Sequence, residues 1–240
     1  MHNYVGGKEA LIHGVISLLL GISLWFRDII RESTYEDKHT PIVKRGLNKA
    51  MELVILSESM FFFALFWAFL HTTFAPAIQV GSLWPPKATP LVDPKGIPAA
   101  NSGVLLASAI TATLAQSSVK RKMYNYGTIF LFSTTVLSVF FLYYQLEEYS
   151  SAPFRVSDSA YGSCFYMLTG CHGFHVFLGT IAIVVAGFRN ILGHFTSKDM
   201  LGLRLTILYW HFVDIVWVVV FVVIYDWGNR ISLHFRAMGF

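Results

Sequence analysis

Six long apolar segments dominate the pattern of hydrophobic and polar positions along the chain. A helix that crosses about 30 Å of hydrocarbon needs roughly 20 residues with few charges. Segments that meet this requirement lie at residues 10–26, 51–74, 99–118, 126–146, 160–188 and 205–225. The pattern therefore predicts an all-α protein, a polytopic bundle of six transmembrane helices that forms a single membrane domain over residues 1–240.

A proline-rich segment separates the second and third apolar segments. Residues 76–98 contain six prolines. Proline has no backbone N–H, and its ring clashes with the preceding turn in the interior of a helix. We therefore expect an ordered loop outside the membrane at 76–98 rather than a further helix.

The composition agrees with a membrane protein and does not fit an ordinary soluble domain. Hydrophobic residues make up 55% of the chain, charged residues make up 13%, and the mean hydropathy is +0.55. The formal net charge is +4. Because Lys and Arg are spread over the short connections, this charge indicates membrane orientation and not nucleic-acid binding.

The distribution of Lys and Arg predicts how the chain is oriented. These residues are retained on the side from which a membrane protein inserts. Successive connections lie on alternate sides of the membrane, so one side carries twelve Lys and Arg residues and the other carries six. The twelve lie in residues 27–49, 119–123 and 189–204. We therefore expect both termini on the less basic side, away from the matrix or cytoplasm.

Glu58 is a carboxyl group inside an apolar segment. It lies about seven residues into the second segment, or roughly 10 Å deep at 1.5 Å per residue. An ionisable group in hydrocarbon is costly unless it is paired, hydrogen-bonded or protonated. Three interpretations stay open: a proton-relay group, an anchor for a lipid or partner, and a protonated carboxyl group bonded to a neighbouring helix.

Two histidines share one face of the fifth segment. His172 and His175 are three residues apart, a spacing that two metal or haem ligands could use. A metal needs further ligands, however, and axial haem ligands usually come from different helices. The favoured interpretation is helix packing, in which imidazoles bond across the interface and Gly170, Gly173 and Gly179 allow close approach.

Polar groups also occur near the other helix ends. His211 and Asp214 are three apart in the last segment and favour a structural His–Asp pair, with a proton path as the alternative. The connection 27–49 mixes acidic and basic residues at the membrane face. Arg189 and His194 follow the fifth segment on that side, where they could clamp an anionic headgroup or serve only to orient the chain.

An ordered set of motifs, covering about residues 20–228, resembles the cytochrome c oxidase subunit III family. The longest are SESMFFFALFWAF at Ser57–Phe69 and SDSAYGSCFYMLTGCHGFHV at Ser157–Val176. The others are WFRDIIREST at Trp25–Thr34, HTP at His39–Pro41, SLWPP at Ser82–Pro86, NSGVLLAS at Asn101–Ser108, EEYSSAPF at Glu147–Phe154, HFTS at His194–Ser197 and YWHFVDIVW at Tyr209–Trp217.

The resemblance implies a non-catalytic membrane subunit of the terminal oxidase. Members of the family bind no haem or copper and pack on catalytic subunit I, supporting its proton uptake and its sustained oxygen reduction. Their helices form a V of two arms whose cleft holds phospholipids. The implied location is the mitochondrial inner membrane, with a bacterial plasma membrane as the alternative, and both termini in the intermembrane space.

The resemblance also assigns roles to individual residues. Glu58 matches the family's membrane-buried carboxyl group that reacts with carbodiimides, which favours the anchor interpretation. Packing, without a metal, is implied for His172 and His175. Positions that line the lipid site are matched by Trp25, Arg31, His39, Arg189 and His194.

The chain departs from the family in three respects. The family usually has seven spans, and the first has no counterpart here, so we expect that a separate polypeptide completes that arm or that other subunits hold its lipids. Phe26 stands where a second Trp is common, and residues 229–240 extend beyond the usual end. Two rival hypotheses are a transporter that uses Glu58 as its proton-coupling acid and a haem cytochrome that uses His172, His175 and His211.

Overall fold

Six long helices make up the computed structural model, which describes residues 6–76, 78, 84, 86 and 91–230. All six are long and apolar enough to cross a membrane, which confirms the predicted number of spans, and the described residues contain no strand. The V-shaped arrangement and the single domain stay predictions. The helices are α1 (Gly7–Thr34), α2 (Pro41–Phe74), α3 (Ile97–Lys120), α4 (Tyr124–Ser151), α5 (Ala160–Ile191) and α6 (Leu201–Val220).

Each of the first five apolar segments lies within one α-helix, and the sixth, 205–225, continues from α6 into a π-helical segment at Phe221–Trp227. Most of the helices extend beyond the apolar positions. The largest difference is in the connection 27–49, because α1 continues to Thr34 and α2 already begins at Pro41. Proline is well suited to the first position of a helix, where no backbone N–H is needed. Polar residues at both ends thus prolong the helices, and only residues 35–40 connect them.

The proline-rich segment 76–98 is described only in part. Trp84 is buried, and its ring packs at 5.8 Å, between ring centroids, against both Phe69 of α2 and Tyr161 of α5. Helix α3 begins at Ile97, with Pro98 in its first turn. Residues 77, 79–83, 85 and 87–90 lie outside the described residues, as do residues 231–240 of the C-terminal extension.

The chain forms two compact units, residues 1–49 and residues 50–240. The first contains α1 and the beginning of α2, and no residue of α1, all of which is described, is buried. In the second, α3 packs on α4, α4 on α5 and α5 on α6, while α6 returns to α3. These four helices form a core, which we name the α3–α6 core.

Polar side chains as well as apolar ones hold the α3–α6 core together. The hydroxyl oxygens of Thr111 on α3 and Thr134 on α4 are 2.7 Å apart. From α6, the indole N–H of Trp210 donates to the hydroxyl of Ser108 over 3.0 Å. Lipid offers no hydrophobic driving force between helices, so close packing and such interhelical hydrogen bonds supply the stability.

A π-helical segment, Phe221–Trp227, follows α6 directly. Its wider turn places Tyr225 in the core, where the ring lies 5.6 Å from that of Phe165 on α5. Such π-helical turns are rare and occur frequently at functional sites. The C-terminal end of the last span is therefore shaped to direct one tyrosine inward.

Candidate functional site

Glu58 and His175 form a hydrogen-bonded pair between α2 and α5. Glu58 Oε2 lies 3.0 Å from His175 Nε2. The His175 side chain is 10% exposed, while that of Glu58 is 33% exposed. The carboxyl group therefore bonds to a neighbouring helix, as one of the three interpretations of Glu58 expects, and a third of its side chain stays accessible.

The hydrogen bonds of His175 determine where its protons lie. Its Nδ1 is 2.7 Å from the carbonyl oxygen of Cys171, and because a carbonyl oxygen only accepts, Nδ1 carries a hydrogen. The bond to Glu58 then contains one proton. Either a protonated Glu58 donates to a neutral imidazole, or an imidazolium donates to a carboxylate. The pair has no net charge in either form, which lowers its cost inside a membrane.

Aromatic rings surround this pair. The His175 imidazole meets the ring of Phe62 edge-on at 5.0 Å between centroids and stacks on that of Phe61 at 6.4 Å. Tyr209 of α6 lies close enough to interact electrostatically with Glu58. The aromatic side chains limit access to the imidazole, so the accessible part of the site is the carboxyl group.

His172 lies in a different environment from His175. It is completely buried, and its ring lies 5.6 Å from that of Phe141 on α4 and 5.1 Å from that of Trp217 on α6. Neither ring nitrogen has a hydrogen-bond partner among the described residues. His172 therefore contacts the α3–α6 core, whereas His175 contacts α2.

The histidines do not belong to a metal cluster in the part of the chain that the structure describes. No group of three or more His, Cys, Asp or Glu side chains is arranged there to hold a metal ion. His211, the third histidine of the haem hypothesis, lies on α6 and contacts Thr113 and Asp214. The geometry thus gives no support to ligation by this set of three.

His211 and Asp214 approach each other, as their spacing predicts. Their Nδ1 and Oδ2 atoms are 3.4 Å apart, which is long for a hydrogen bond. The Thr113 hydroxyl donates to the carbonyl oxygen of Ala109 and lies 3.2 Å from His211 Nε2, so the imidazole donates to this hydroxyl. His211 thus also connects α6 to α3.

Among the described residues, Gly179 alone of the three glycines predicted to allow close helix packing has that role. A Cβ atom on Gly179 would lie 2.8 Å from the ring of Trp210, closer than van der Waals contact permits. At Gly173 such an atom would meet nothing within 4 Å, and at Gly170 it would make an ordinary contact with Tyr149. The prediction is therefore wrong for Gly170 and Gly173 as far as the described residues are concerned.

Arg189 and His194 lie together at the basic end of α5. The His194 backbone N–H donates to the Arg189 carbonyl oxygen over 2.9 Å, and the Arg189 guanidinium stacks on the ring of Phe195, 4.6 Å from its centroid. Partial burial, and then the positive charge of Arg189, lower the pKa of His194 below its usual value. The neutral form of His194 is thereby favoured while no anion is bound nearby.

The other three residues assigned to the lipid site belong to the first compact unit. Trp25 is exposed and packs on Phe26, while His39 is half-buried. Arg31 Nε lies 3.2 Å from a carboxylate oxygen of Glu36. A hydrogen bond from Lys38, together with its charge, lowers the pKa of Glu36, and Glu36 in turn raises the pKa of Lys38. Glu58, Arg189 and His194 belong to the second unit.

Sequence reasoning missed a second buried carboxyl group. Glu148 of α4 is only 2% exposed, and the Tyr225 hydroxyl donates to its Oε1 over 2.6 Å. Glu148 follows the end of the predicted span 126–146, whereas α4 continues to Ser151. The signal that could have found it is its spacing from Gln145, because residues three apart share one helix face.

Comparison with known proteins identifies the family. The family model described as "Cytochrome c oxidase subunit III" matches residues 1–229. The protein named "Cytochrome c oxidase subunit 3" of Marchantia polymorpha is 45% identical over 230 residues, which cover 96% of this chain and 87% of the relative. The protein of the same name from Prototheca wickerhamii is 47% identical over 229 residues, which cover 95% of this chain and 87% of the relative. The one from Chondrus crispus is 46% identical over 229 residues, which cover 95% of this chain and 84% of the relative. The chain therefore belongs to the cytochrome c oxidase subunit III family.

Proposed function

We propose that the chain is a membrane subunit of a cytochrome c oxidase that supports the catalytic subunit without carrying a redox centre of its own. The observation that carries this proposal is the family match over residues 1–229. The geometry supports it, because two carboxyl groups of the spans bond to side chains of this chain, Glu58 to His175 and Glu148 to Tyr225. The chemistry of oxygen reduction and proton translocation belongs to subunit I, on which the chain packs together with other subunits.

The proposed location is the mitochondrial inner membrane, with both termini in the intermembrane space. The twelve Lys and Arg of one side support this orientation. The structure places several of them on helix ends, such as Arg31 on α1 and Lys120 on α3, where they extend beyond the apolar positions. Basic side chains at helix ends are suited to contact phosphate groups at a membrane surface.

Phospholipid is the proposed ligand of the basic end of α5. A guanidinium offers several N–H donors in a planar fork that matches a phosphate group. The Arg189 guanidinium is held by its stacking on Phe195, and His194 lies beside it. On α1, the long exposed apolar surface and the basic residue Arg31 offer contacts for acyl chains and headgroups. Glu58 is the proposed anchor within the hydrocarbon.

Purification of the chain with its natural partners tests the proposed role. The tagged chain, isolated in mild detergent, is expected to bring haem and cytochrome c oxidation activity with it. After the subunits are separated, the haem absorbance is expected to remain with the partner. Haem bound in stoichiometric amount by this chain alone, or an isolate without oxidase activity, would contradict the proposal.

Mass spectrometry of the same isolate tests lipid binding. We expect Arg189→Lys to reduce the amount of bound anionic phospholipid, because an ammonium group keeps the charge but loses the planar fork. Arg121→Lys is the matched control, since Arg121 lies at the exposed end of α3 on the same basic side. Equal lipid content in the wild type and both variants would exclude this site.

A further inference from the structure

Six buried polar side chains of the α3–α6 core have at least one hydrogen-bonding atom without a partner among the described residues. Asn190 and Asp214 each lack a partner for one oxygen, and the other four are considered together. They are Asn101 of α3, Gln145 and Glu148 of α4, and His172 of α5, and none is more than 5% exposed. Among the described residues, no partner is found for either amide atom of Asn101 or Gln145, either ring nitrogen of His172, or Oε2 of Glu148. Such groups are rare in native proteins and call for an explanation.

Helix register shows that Asn101 and Gln145 lie at the same depth. The hydroxyl oxygens of Thr111 and Thr134 are 2.7 Å apart and align the antiparallel helices α3 and α4. Asn101 lies about ten residues from Thr111, or roughly 15 Å along the axis. The same distance along α4, in the opposite chain direction, leads from Thr134 to about Gln145.

His172 and Glu148 lie close to the same depth. The His172 ring is 5.6 Å from that of Phe141, one turn before Gln145, and a hydrogen bond of 2.7 Å joins Tyr149 to Thr169 one turn further along. Glu148 is three residues after Gln145, whose amide lies beside the Tyr225 hydroxyl without hydrogen-bond geometry. The four unpartnered side chains thus form one polar layer, bounded by Trp217 and Tyr225.

The atoms of this polar layer need both donors and acceptors. Each amide offers N–H donors and a carbonyl acceptor, and a neutral imidazole offers one donor and one acceptor. An apolar ligand satisfies none of them. Water donates and accepts, and buried waters typically make about three hydrogen bonds to polar groups that otherwise lack partners.

Glu148 has no counter-ion among the described residues. None of the ion pairs in the described part of the chain includes it. A buried carboxylate without a counter-ion is costly, so the group takes up a proton instead. The titratable side chains that interact with it are phenols, which are neutral near neutral pH: Tyr149 on α4, Tyr161 and Tyr166 on α5, and Tyr225 on the π-helical segment. His172 adds an imidazole to the same layer.

We propose that Asn101, Gln145, Glu148 and His172 form a buried water-binding site in which Glu148 is a protonated carboxylic acid. Tyr225 donates to Oε1, and the proton on Oε2 is donated to water. The water molecules complete the hydrogen bonds of the two amides and the imidazole. This site depends on the packing of α3–α6 and of the π-helical segment, and not on the proposed oxidase role or on lipid binding.

A structure of the purified complex, at a resolution that shows ordered water, tests the water-binding part. Density is expected within hydrogen-bond distance of at least two of the four side chains. The proposal fails if the side chains pair directly with one another without density between them. It also fails if a metal cation occupies the layer, since a cation would hold Glu148 ionised.

Infrared spectroscopy of the same complex tests the protonation of Glu148. Glu148→Gln is expected to remove one C=O stretching band of a protonated carboxyl group, and Glu147→Gln, at the exposed neighbouring position, is expected to keep it. A band that persists in Glu148→Gln overturns the proposal. If that variant does not assemble, Tyr225→Phe decides, because loss of the hydroxyl donor must shift the band, and an unchanged band overturns the proposal as well.

Discussion

The two sides of α5 each carry one histidine, and the two histidines differ in burial and in hydrogen bonding. His172 faces the α3–α6 core, where it is completely buried between Phe141 and Trp217. His175, one turn later, faces α2 and forms its hydrogen bond with Glu58, whose side chain is one-third exposed. On the core side, close packing around the imidazole stabilises the position of His172. On the α2 side, one interhelical hydrogen bond stabilises the position of His175.

This difference sets the expected size of mutational effects. On the core side, a change of volume has no room to relax, because protein interiors are closely packed. On the α2 side, the Glu58 side chain is one-third exposed, so its carboxyl group can turn toward lipid or another subunit when it loses its partner. Interhelical hydrogen bonds in membranes contribute on average less than about 1 kcal/mol, so the core side should be the more sensitive of the two.

The largest effect is expected from His172→Ala. The loss of a buried ring creates a cavity, and truncation of a buried aromatic side chain costs about 3–5 kcal/mol, so we expect about 3 kcal/mol for the smaller imidazole. Thermal unfolding of the chain within its complex measures this change. His175→Ala is the control from the other side and should cost less, because His175 is not completely enclosed and its partner Glu58 can turn outward. Equal costs would remove the distinction between the two sides.

Gly179→Ala should have the next largest effect. The added methyl group meets the ring of Trp210, and overpacking of this kind costs about 1–3 kcal/mol. Gly173→Ala, at a position with open space, should be neutral or stabilising by up to about 1 kcal/mol, because alanine favours the helix over glycine. The unfolding temperatures of both variants provide the measurement. A tolerated Gly179→Ala would show that α5 and α6 pack less closely than described.

Glu58→Ala should have a smaller effect. It leaves His175 Nε2 without its partner and should destabilise the chain by about 1 kcal/mol. Glu58→Gln should be nearly neutral, because the amide N–H can donate to the same nitrogen. Unfolding temperature and initial oxygen consumption are measured together. Failure of Glu58→Gln to assemble would show that a charged carboxylate is required, and that the neutral form of the pair is not sufficient.

The smallest effect is expected on lipid affinity at the basic end of α5. This end belongs neither to the core side nor to the α2 side of the helix. The pKa of His194 is lowered by partial burial and by Arg189, so the imidazole gains its proton only below its usual range. Because protonation adds positive charge, the affinity for an anionic phospholipid should rise a few-fold as the pH falls through this lowered pKa. Lipid titration at several pH values measures this dependence, which His194→Gln should abolish. An affinity that falls with falling pH would contradict the proposed site.

Much of the architecture could be predicted from the sequence. Six apolar segments predict six helices because a bilayer requires about 20 apolar residues for each span, and the number is confirmed. The exact ends of the helices could not be predicted in the same way. Hydropathy reports the hydrocarbon boundary, whereas α1 continues to Thr34 and α4 to Ser151 through polar residues. Hydropathy therefore does not reveal the burial of Glu148, which lies on a buried helix face beyond the last apolar positions.

The partners of the polar residues could be predicted only when they lie on one helix. The spacing of His211 and Asp214 was sufficient to predict their approach. The pairing of Glu58 with His175 joins residues 117 positions apart, and no local pattern reveals it. Similarly, the spacing of His172 and His175 shows that they share one broad face of α5. It does not show that His172 contacts α4 and α6 whereas His175 contacts α2, because this depends on how the helices pack.

Removal of this chain from the assembled oxidase tests the proposed supporting role most directly. The measurement is oxygen consumption by the remaining complex, followed from the first turnovers until the rate declines, together with its haem spectrum. The proposed supporting role predicts an unchanged haem spectrum and an initial rate close to that of the intact complex, followed by earlier loss of activity. Loss of haem absorbance with the chain, or a rate that stays equal to that of the intact complex throughout, would contradict it.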